Sequence, residues 1–175
     1  MSILSRWLLG TVLALFGIGS TGCGRDLGWS AVDRLIARSF PAVPQLSTDS
    51  LAALLADSTR PLLLDVRTPE EYRVSHLPGA RRIDPEATAF PMLAGVPKDT
   101  LIVAYCSVGY RSAGLVERLR KAGFTNAHNL KGSIFRWANE GRPVYRNGVA
   151  VRQVHPYDAA WGRLLDASLR ARAPQ

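Results

Sequence analysis

A short loop near the middle of the chain combines a cysteine with an arginine, in the sequence CSVGYR at 106–111. The loop follows an apolar run at 101–105 and precedes a helical pattern at 112–122. Backbone N–H groups of a loop that opens a helix favour a bound anion. The same field lowers the pKa of a thiol, and the thiolate is the reactive form. We therefore interpret Cys106 as a catalytic nucleophile.

The rest of the loop suits the binding of a small anion. Gly109 tolerates a positive φ angle, which lets neighbouring amides converge, and Arg111 supplies a fixed, positively charged fork. The candidate substrate-binding residues are Ser107, Val108, Gly109, Tyr110 and Arg111. The alternative interpretation is structural, because a free cysteine at the end of a strand is often a buried packing residue.

Further sequence blocks accompany this loop in a fixed order. DVR at 65–67, EY at 71–72 and HLPGA at 76–80 precede it, and GSIFRWANEGRPV at 132–144 follows it. In order and spacing, these blocks resemble the signatures of the rhodanese family of sulfurtransferases. The resemblance extends over residues 45–145 and implies a single domain of that family.

The resemblance is incomplete at two positions. Ser75 stands where the family usually has a glycine before the histidine, and Ser107 stands where it often has a basic residue. A serine still supports a turn, whereas the second difference removes one positive charge from the predicted pocket. The nucleophile is retained, so these differences bear on which sulfur donor binds.

The resemblance implies sulfur transfer through a persulfide on Cys106, without a cofactor. A small anionic donor such as thiosulfate would supply the sulfur, and a thiol or cyanide would accept it. Four residues separate Cys106 from Arg111, whereas cysteine-dependent phosphatases carry five, so phosphatase and arsenate-reductase chemistry are disfavoured. The alternative is a non-catalytic binding or regulatory module at the cell envelope, a role in which the nucleophile is usually replaced.

Two charged residues after the apolar run at 62–66 are candidate supporting residues. Asp65 lies at the end of a predicted strand, where ligands bind in open α/β sheets. It would hold the loop amides or Arg111, or it would cap the following turn. Arg67 precedes Glu71 by four residues, and this spacing predicts an ion pair across the start of a helix.

Alternating strands and helices predict an α/β fold with a mainly parallel central sheet and helices on both faces. Ser133 is predicted to cap the last helix of the domain. Beyond it, Asn147 and Gly148 form a hairpin signal, and apolar spacing predicts a final helix at 157–171. The predicted strands and helices of the domain lie at 43–46, 48–55, 62–66, 101–105, 111–122, 127–130 and 134–140, and a further helix is predicted to start at 68–71.

The first 22 residues resemble a bacterial lipoprotein signal peptide. Arg6 precedes an apolar stretch at 7–18, which is shorter than the about 20 residues that a spanning helix needs. The small residues GSTG precede Cys23 and resemble a lipobox, so Cys23 is a candidate lipidation site. We therefore expect an exported protein that is lipid-anchored and faces the periplasm. Simple secretion and an uncleaved membrane anchor are the alternatives.

Between the signal peptide and the domain, a short tether at 24–28 and an extra helix at 31–39, capped by Ser30, are expected. The predicted segments of the whole chain are 1–22, the signal peptide; 23–44, the tether and extra helix; 45–145, the rhodanese-like domain; and 146–175, the hairpin and C-terminal helix.

The charge and composition of the chain indicate which classes of binding partner to expect. A net charge of +8 is compatible with anionic lipids or anionic donors, and equally with scattered surface arginines, since the chain has no continuous basic run. Aromatic-basic clusters and zinc-type Cys/His spacings are missing from the sequence, so neither nucleic acid nor a metal is expected. If Cys23 is lipidated, Cys106 has no disulfide partner, which favours a reactive thiol.

Overall fold

The computed structural model describes residues 23–57 and 60–172, with side chains from residue 28 onward, so the predicted signal peptide lies outside the described residues. No helix in the described part of the chain is both long and apolar enough to cross a membrane. The helices are α1 (Cys23–Ser39), α2 (Thr48–Ala56), α3 (Pro69–Val74), α4 (Tyr110–Lys121) and α5 (Ser133–Asn139). The strands are β1 (Gln45–Leu46), β2 (Leu62–Asp65), β3 (Arg81–Arg82), β4 (Ile102–Tyr105), β5 (Ala127–Leu130), β6 (Val144–Arg146) and β7 (Val149–Val151).

The central sheet has five parallel strands in the order β1-β5-β4-β2-β3. All four residues of the middle strand β4 are fully buried, which requires cover on both faces of the sheet. Helix α1 contacts α4, and α2 contacts α5. The predicted α/β fold with a mainly parallel sheet is therefore confirmed. Asp65 and Tyr105 are register partners, so the loops after β2 and β4 leave the same edge of the sheet.

Local sequence signals explain where α2, α3 and α4 begin or end. The Ser47 hydroxyl caps α2 by accepting the Ser50 N–H at 3.0 Å. Thr68 and Glu71 form a reciprocal capping box at the start of α3. Helix α4 ends at Lys121 and is followed by Gly123 at φ +92°, after which the N–H of the next residue bonds back to the Leu119 carbonyl. These three boundaries lie within one or two residues of the predicted ones.

Helix α1 is longer than the sequence predicted. It runs unbroken from Cys23, through the segment at 24–28 that we expected to be a tether. A Cβ atom at Gly28 would lie 2.7 Å from the Leu164 side chain. Gly28 therefore serves close packing between α1 and the C-terminal segment, rather than chain flexibility.

The C-terminal segment does not form the predicted helix at 157–171. It contains two short 3-10 turns, Trp161–Leu164 and Ala167–Leu169. The Val154 N–H bonds to the Leu169 carbonyl at 2.8 Å, which folds the segment back on itself and is incompatible with one continuous helix. The predicted hairpin is confirmed, since β6 and β7 are antiparallel around a turn with positive φ at residues 147 and 148.

Candidate active site

Cys106 immediately follows β4 and lies at the floor of a loop that leads into α4. Only 2% of the residue is exposed, and it is a free thiol. Its backbone N–H donates to the Ser133 hydroxyl at 3.1 Å, and its carbonyl accepts the Ile134 N–H at 3.2 Å. The start of α5 therefore fixes the position of the nucleophile.

Ser133 has a different role from the predicted one. It is the first residue of α5, at φ +51°, and the cap position before it is Gly132. Its hydroxyl accepts from Cys106 and donates to the Leu130 carbonyl at 3.2 Å, so it does not cap its own helix. The position within the closing sequence block was the only sequence signal that pointed to it.

The sulfur atom lies in a field of converging donors. The Gly109 N–H points at the Cys106 sulfur at 3.1 Å, and Gly109 has φ +115°, a conformation that side chains disfavour. Burial, the largest influence, raises the pKa of the thiol. The charge of Arg111 and hydrogen bonds from Ser112 and Gly109 together outweigh burial, so the pKa lies below its ordinary value.

Glu71 is a site residue that we did not predict. Its carboxylate accepts from Arg111 Nη1 at 3.0 Å and Nη2 at 2.9 Å, and from the Ser107 hydroxyl at 2.9 Å. Burial raises the pKa of Glu71. The hydrogen bonds from Arg111 and from the Thr68 N–H lower it by more, so the net shift is downward. The capping-box spacing from Thr68 to Glu71 was visible in the sequence, whereas the contact with a loop 36 to 40 residues away was not.

The ion pair with Glu71 changes the expected role of Arg111. Both terminal nitrogens of the guanidinium are engaged by the carboxylate, and Nη2 also lies 3.2 Å from the Ser107 hydroxyl. The guanidinium carbon lies 4.8 Å from the centre of the Tyr157 ring. Much of the arginine's charge is therefore neutralised within the protein.

Asp65 and Arg67 pair with each other, so the predicted ion pair between Arg67 and Glu71 is wrong. Arg67 Nη2 lies 2.7 Å from Asp65 Oδ2, and both side chains are fully buried. The Asp65 carboxylate also accepts the Arg67 backbone N–H at 2.9 Å. Arg67 Nη2 donates to the Ser75 carbonyl at 2.5 Å as well. Asp65 therefore caps the turn after β2 and, with Arg67, supports the segment that carries Glu71, while Arg111 is held by Glu71.

A cavity of about 190 Å³ opens above Cys106. Four of the five predicted substrate-binding residues line it, and the fifth, Gly109, contacts the sulfur instead. Tyr110 is 40% exposed at the rim and packs edge-on against Phe40, with ring centres 5.3 Å apart. The lining residues are Leu35, Cys106, Ser107, Val108, Tyr110, Arg111, Tyr157 and Trp161.

Two other sequence predictions concern a metal site and the lipidation of Cys23. Among residues 23–57 and 60–172, no group of three or more His, Cys, Asp or Glu side chains is arranged to hold a metal ion. Cys23 is the first residue of α1, and its side chain, the predicted lipidation site, lies outside the described residues.

The family sequence model that describes the rhodanese-like domain matches residues 47–140 of this chain. A sulfurtransferase of Allochromatium vinosum is 34% identical over 102 residues, which are 58% of this chain and 94% of that protein. The human thiosulfate:glutathione sulfurtransferase is 33% identical over 107 residues, covering 54% of this chain and 92% of that protein.

A solved structure supports the same assignment. The rhodanese-like domain protein from Staphylococcus aureus is 30% identical, with a TM-score of 0.52, and the match covers 60% of this chain and 99% of that one. Together with the two sulfurtransferases, it supports sulfur transfer as the general chemistry, with a sulfur donor and a thiol acceptor as the partner classes. The chain thus belongs to the rhodanese-like domain family.

Proposed function

We propose that the protein transfers sulfane sulfur from a small anionic donor to a thiol through a persulfide on Cys106. The observation that carries this proposal is the position of the sulfur, at the floor of a cavity with the Gly109 N–H directed at it from 3.1 Å. Its lowered pKa keeps more of the thiol in the nucleophilic form at neutral pH.

Thiosulfate is the simplest donor for the first step. The Cys106 thiolate attacks the outer sulfur, the bond between the two sulfur atoms of thiosulfate breaks, and its electron pair leaves with sulfite. Cys106 then carries a persulfide anion. The amides at the start of α4 stabilise this anion, and Arg111 contributes the part of its charge that Glu71 leaves uncompensated.

A thiol accepts the sulfur in the second step. The acceptor thiolate attacks the terminal sulfur of the persulfide, the bond to the Cys106 sulfur breaks, and Cys106 returns to the thiolate form. The relative named as a thiosulfate:glutathione sulfurtransferase supports a small thiol in this role. Cyanide would substitute for the thiol in an assay. This two-step covalent scheme predicts ping-pong kinetics.

We also propose that the protein is held at the bacterial cell envelope by a lipid on Cys23 and faces the periplasm. The short apolar stretch at 7–18 and the small residues before Cys23 support this location. A positive net charge of +8 would add weak attraction to anionic headgroups.

Mass spectrometry tests the sulfur-transfer proposal directly. The chain with Cys23→Ser retains Cys106 as its single thiol, and it is incubated with thiosulfate and, separately, with methanethiosulfonate. We expect the Cys106 peptide to gain one sulfur atom, cyanide to remove it, and Cys106→Ser to show no gain. A folded protein with a reduced Cys106 that gains no sulfur from either donor would contradict the proposal.

A further inference from the structure

Two segments outside the family domain close over the nucleophile. Leu35 lies on α1, and Tyr157 and Trp161 lie in the C-terminal segment, so all three fall outside residues 47–140. All three nevertheless line the cavity above Cys106. Three of the eight residues that line the cavity therefore come from parts of the chain that the family domain does not include.

These segments are held firmly to the domain and to each other. Gly28 on α1 closely approaches Leu164. The Leu164 carbonyl accepts from the Asn139 side chain at 2.7 Å, and Asn139 in turn accepts the Asp166 N–H at 2.9 Å. Leu165 is completely buried. Packing and hydrogen bonds thus fix the position of the segments that form the entrance.

Tyr157 has an unusual backbone conformation at this entrance. Its φ angle is +66°, which a bulky side chain rarely adopts. The conformation aims the ring over the Arg111 guanidinium, at 4.8 Å, while 44% of the residue stays exposed. Backbone outliers of this kind persist where the surrounding structure holds them, and they concentrate at functional sites.

The entrance presents apolar and aromatic surface rather than free positive charge. Arg111 is paired with Glu71, and Ser107 provides a hydroxyl that also bonds to Glu71. The exposed apolar and aromatic side chains of the entrance are Leu35, Tyr110 and Tyr157, and Trp161 beside them is partly buried. An apolar group attached to the reacting sulfur would gain contacts with this surface that a small inorganic dianion, bound at the floor of the cavity, would not make.

A second cavity gives room for a larger substituent. It measures about 450 Å³ and lies between α1 and the turn at Trp161–Leu164. Leu35 and Trp161 line both cavities, so the two cavities share part of their apolar lining.

We propose that the preferred sulfur donor is an organic sulfane-sulfur compound with an apolar or aromatic substituent, and that Leu35, Tyr157 and Trp161 set this specificity. The inference rests on the proposed function and names its substrate class. For a thiosulfonate, the Cys106 thiolate attacks the outer sulfur, the bond to the sulfonyl sulfur breaks, and the sulfinate leaves with the electron pair. Cys106 becomes a persulfide anion, as with thiosulfate.

Paired donors test the proposal. Benzenethiosulfonate and methanethiosulfonate share the reacting group and the charge and differ in the substituent. Each kcat/KM is divided by the rate constant of the same donor with free cysteine, which removes the difference in leaving-group reactivity. We expect the corrected ratio to favour the benzene compound by about tenfold or more. A corrected ratio near one would overturn the proposal.

Substitutions locate the source of the preference. Tyr157→Ala and Trp161→Ala should each lower the corrected ratio, mainly through KM for the benzene compound, whereas Tyr157→Phe keeps the ring and should retain it. Val149→Ala removes an apolar side chain that is 66% exposed and lies outside both cavities, so it should leave the ratio unchanged. A ratio unaffected by the first two variants would contradict the assignment. If no donor forms a persulfide on Cys106, that result would instead contradict the proposed function, and this inference would fail with it.

Discussion

The reactivity of Cys106 results from opposing influences on one sulfur atom. Burial alone would raise the pKa of the thiol and make it inert. The Arg111 charge and the amides of Gly109 and Ser112 outweigh that influence. A buried cysteine in this loop is therefore compatible with a nucleophile, and the structural interpretation based on burial alone is insufficient.

Replacing Arg111 tests this balance of influences. Arg111→Gln removes the largest favourable influence on the thiolate, so the pKa of Cys106 should rise. The rate of alkylation by iodoacetamide, measured against pH, should then reach its midpoint at a higher pH. Arg111→Lys keeps the charge and should move the midpoint less. Coincident midpoints for the wild type and Arg111→Gln would show that the charge of Arg111 does not activate the thiol.

Helix α3 and the loop before α4 are joined through Glu71. The carboxylate satisfies the Thr68 N–H at the start of α3 and binds Arg111 and Ser107 across the site. The Arg67 and Asp65 pair fixes the turn from which α3 starts. Glu71 is thus a positioning residue, which aligns an arginine that acts on Cys106.

Glu71→Gln tests this connection through the pH dependence of stability. The folded-state pKa of Glu71 is lowered, so its ionised form stabilises the protein above the unfolded-state pKa, and this contribution is lost as pH falls through the folded-state value. At about pH 7 we expect the variant to lose about 1–3 kcal/mol of unfolding free energy, since Arg111 is partly exposed. Urea unfolding should show this difference shrinking below about pH 4.5.

Glu70→Gln serves as the control for Glu71→Gln, because it makes the same substitution at an exposed position and keeps the Glu71 carboxylate. Glu70→Gln removes a neighbouring carboxylate that pairs with Arg73 on the exposed surface of the same helix. That variant should keep nearly all of the unfolding free energy, because exposed ion pairs contribute little. Equal losses in the two variants would mean that the contact with the loop does not stabilise the fold.

Elements with local signals were predictable from sequence, and those set by distant contacts were not. The capping box of α3 and the glycine after α4 define boundaries within a few residues of chain. Gly28 of α1 packs closely against Leu164, and the bridge from Val154 to Arg170 folds the C-terminal segment back on itself. The spacing of residues along the sequence does not reveal such contacts between distant segments.

The same distinction applies to the site. Cys106 and Arg111 were recognisable because the loop is contiguous. The partner of Arg111 was not, because Glu71 is 40 residues away. Arg67 was assigned to Glu71 from helical spacing, but Asp65 lies closer in the folded turn and takes the pair. Ionic partners at a strand-to-helix turn follow the turn geometry rather than the helix period.

At the scale of the whole molecule, we propose separate roles for the two cysteines. Cys23 begins α1, and Leu35 at the site entrance follows 12 residues later, which places it about 18 Å along the helix axis. A lipid on Cys23 would therefore keep the entrance of the cavity close to the membrane, and the lipid itself would not occupy the site. An apolar donor that partitions into the bilayer would then meet the entrance close to the membrane surface.

A crossed pair of variants tests this separation. In a Gram-negative host, Cys23→Ser should move the protein from the membrane to the soluble fraction while Cys106 still gains sulfur at the wild-type rate. Cys106→Ser should do the reverse, remaining on the membrane without gaining sulfur. Because a net charge of +8 can also hold a protein on anionic lipid, membranes are washed at about 1 M salt, where the Debye length falls to about 3 Å. A Cys23→Ser protein that survives this wash on the membrane would show that something other than a lipid on Cys23 anchors it.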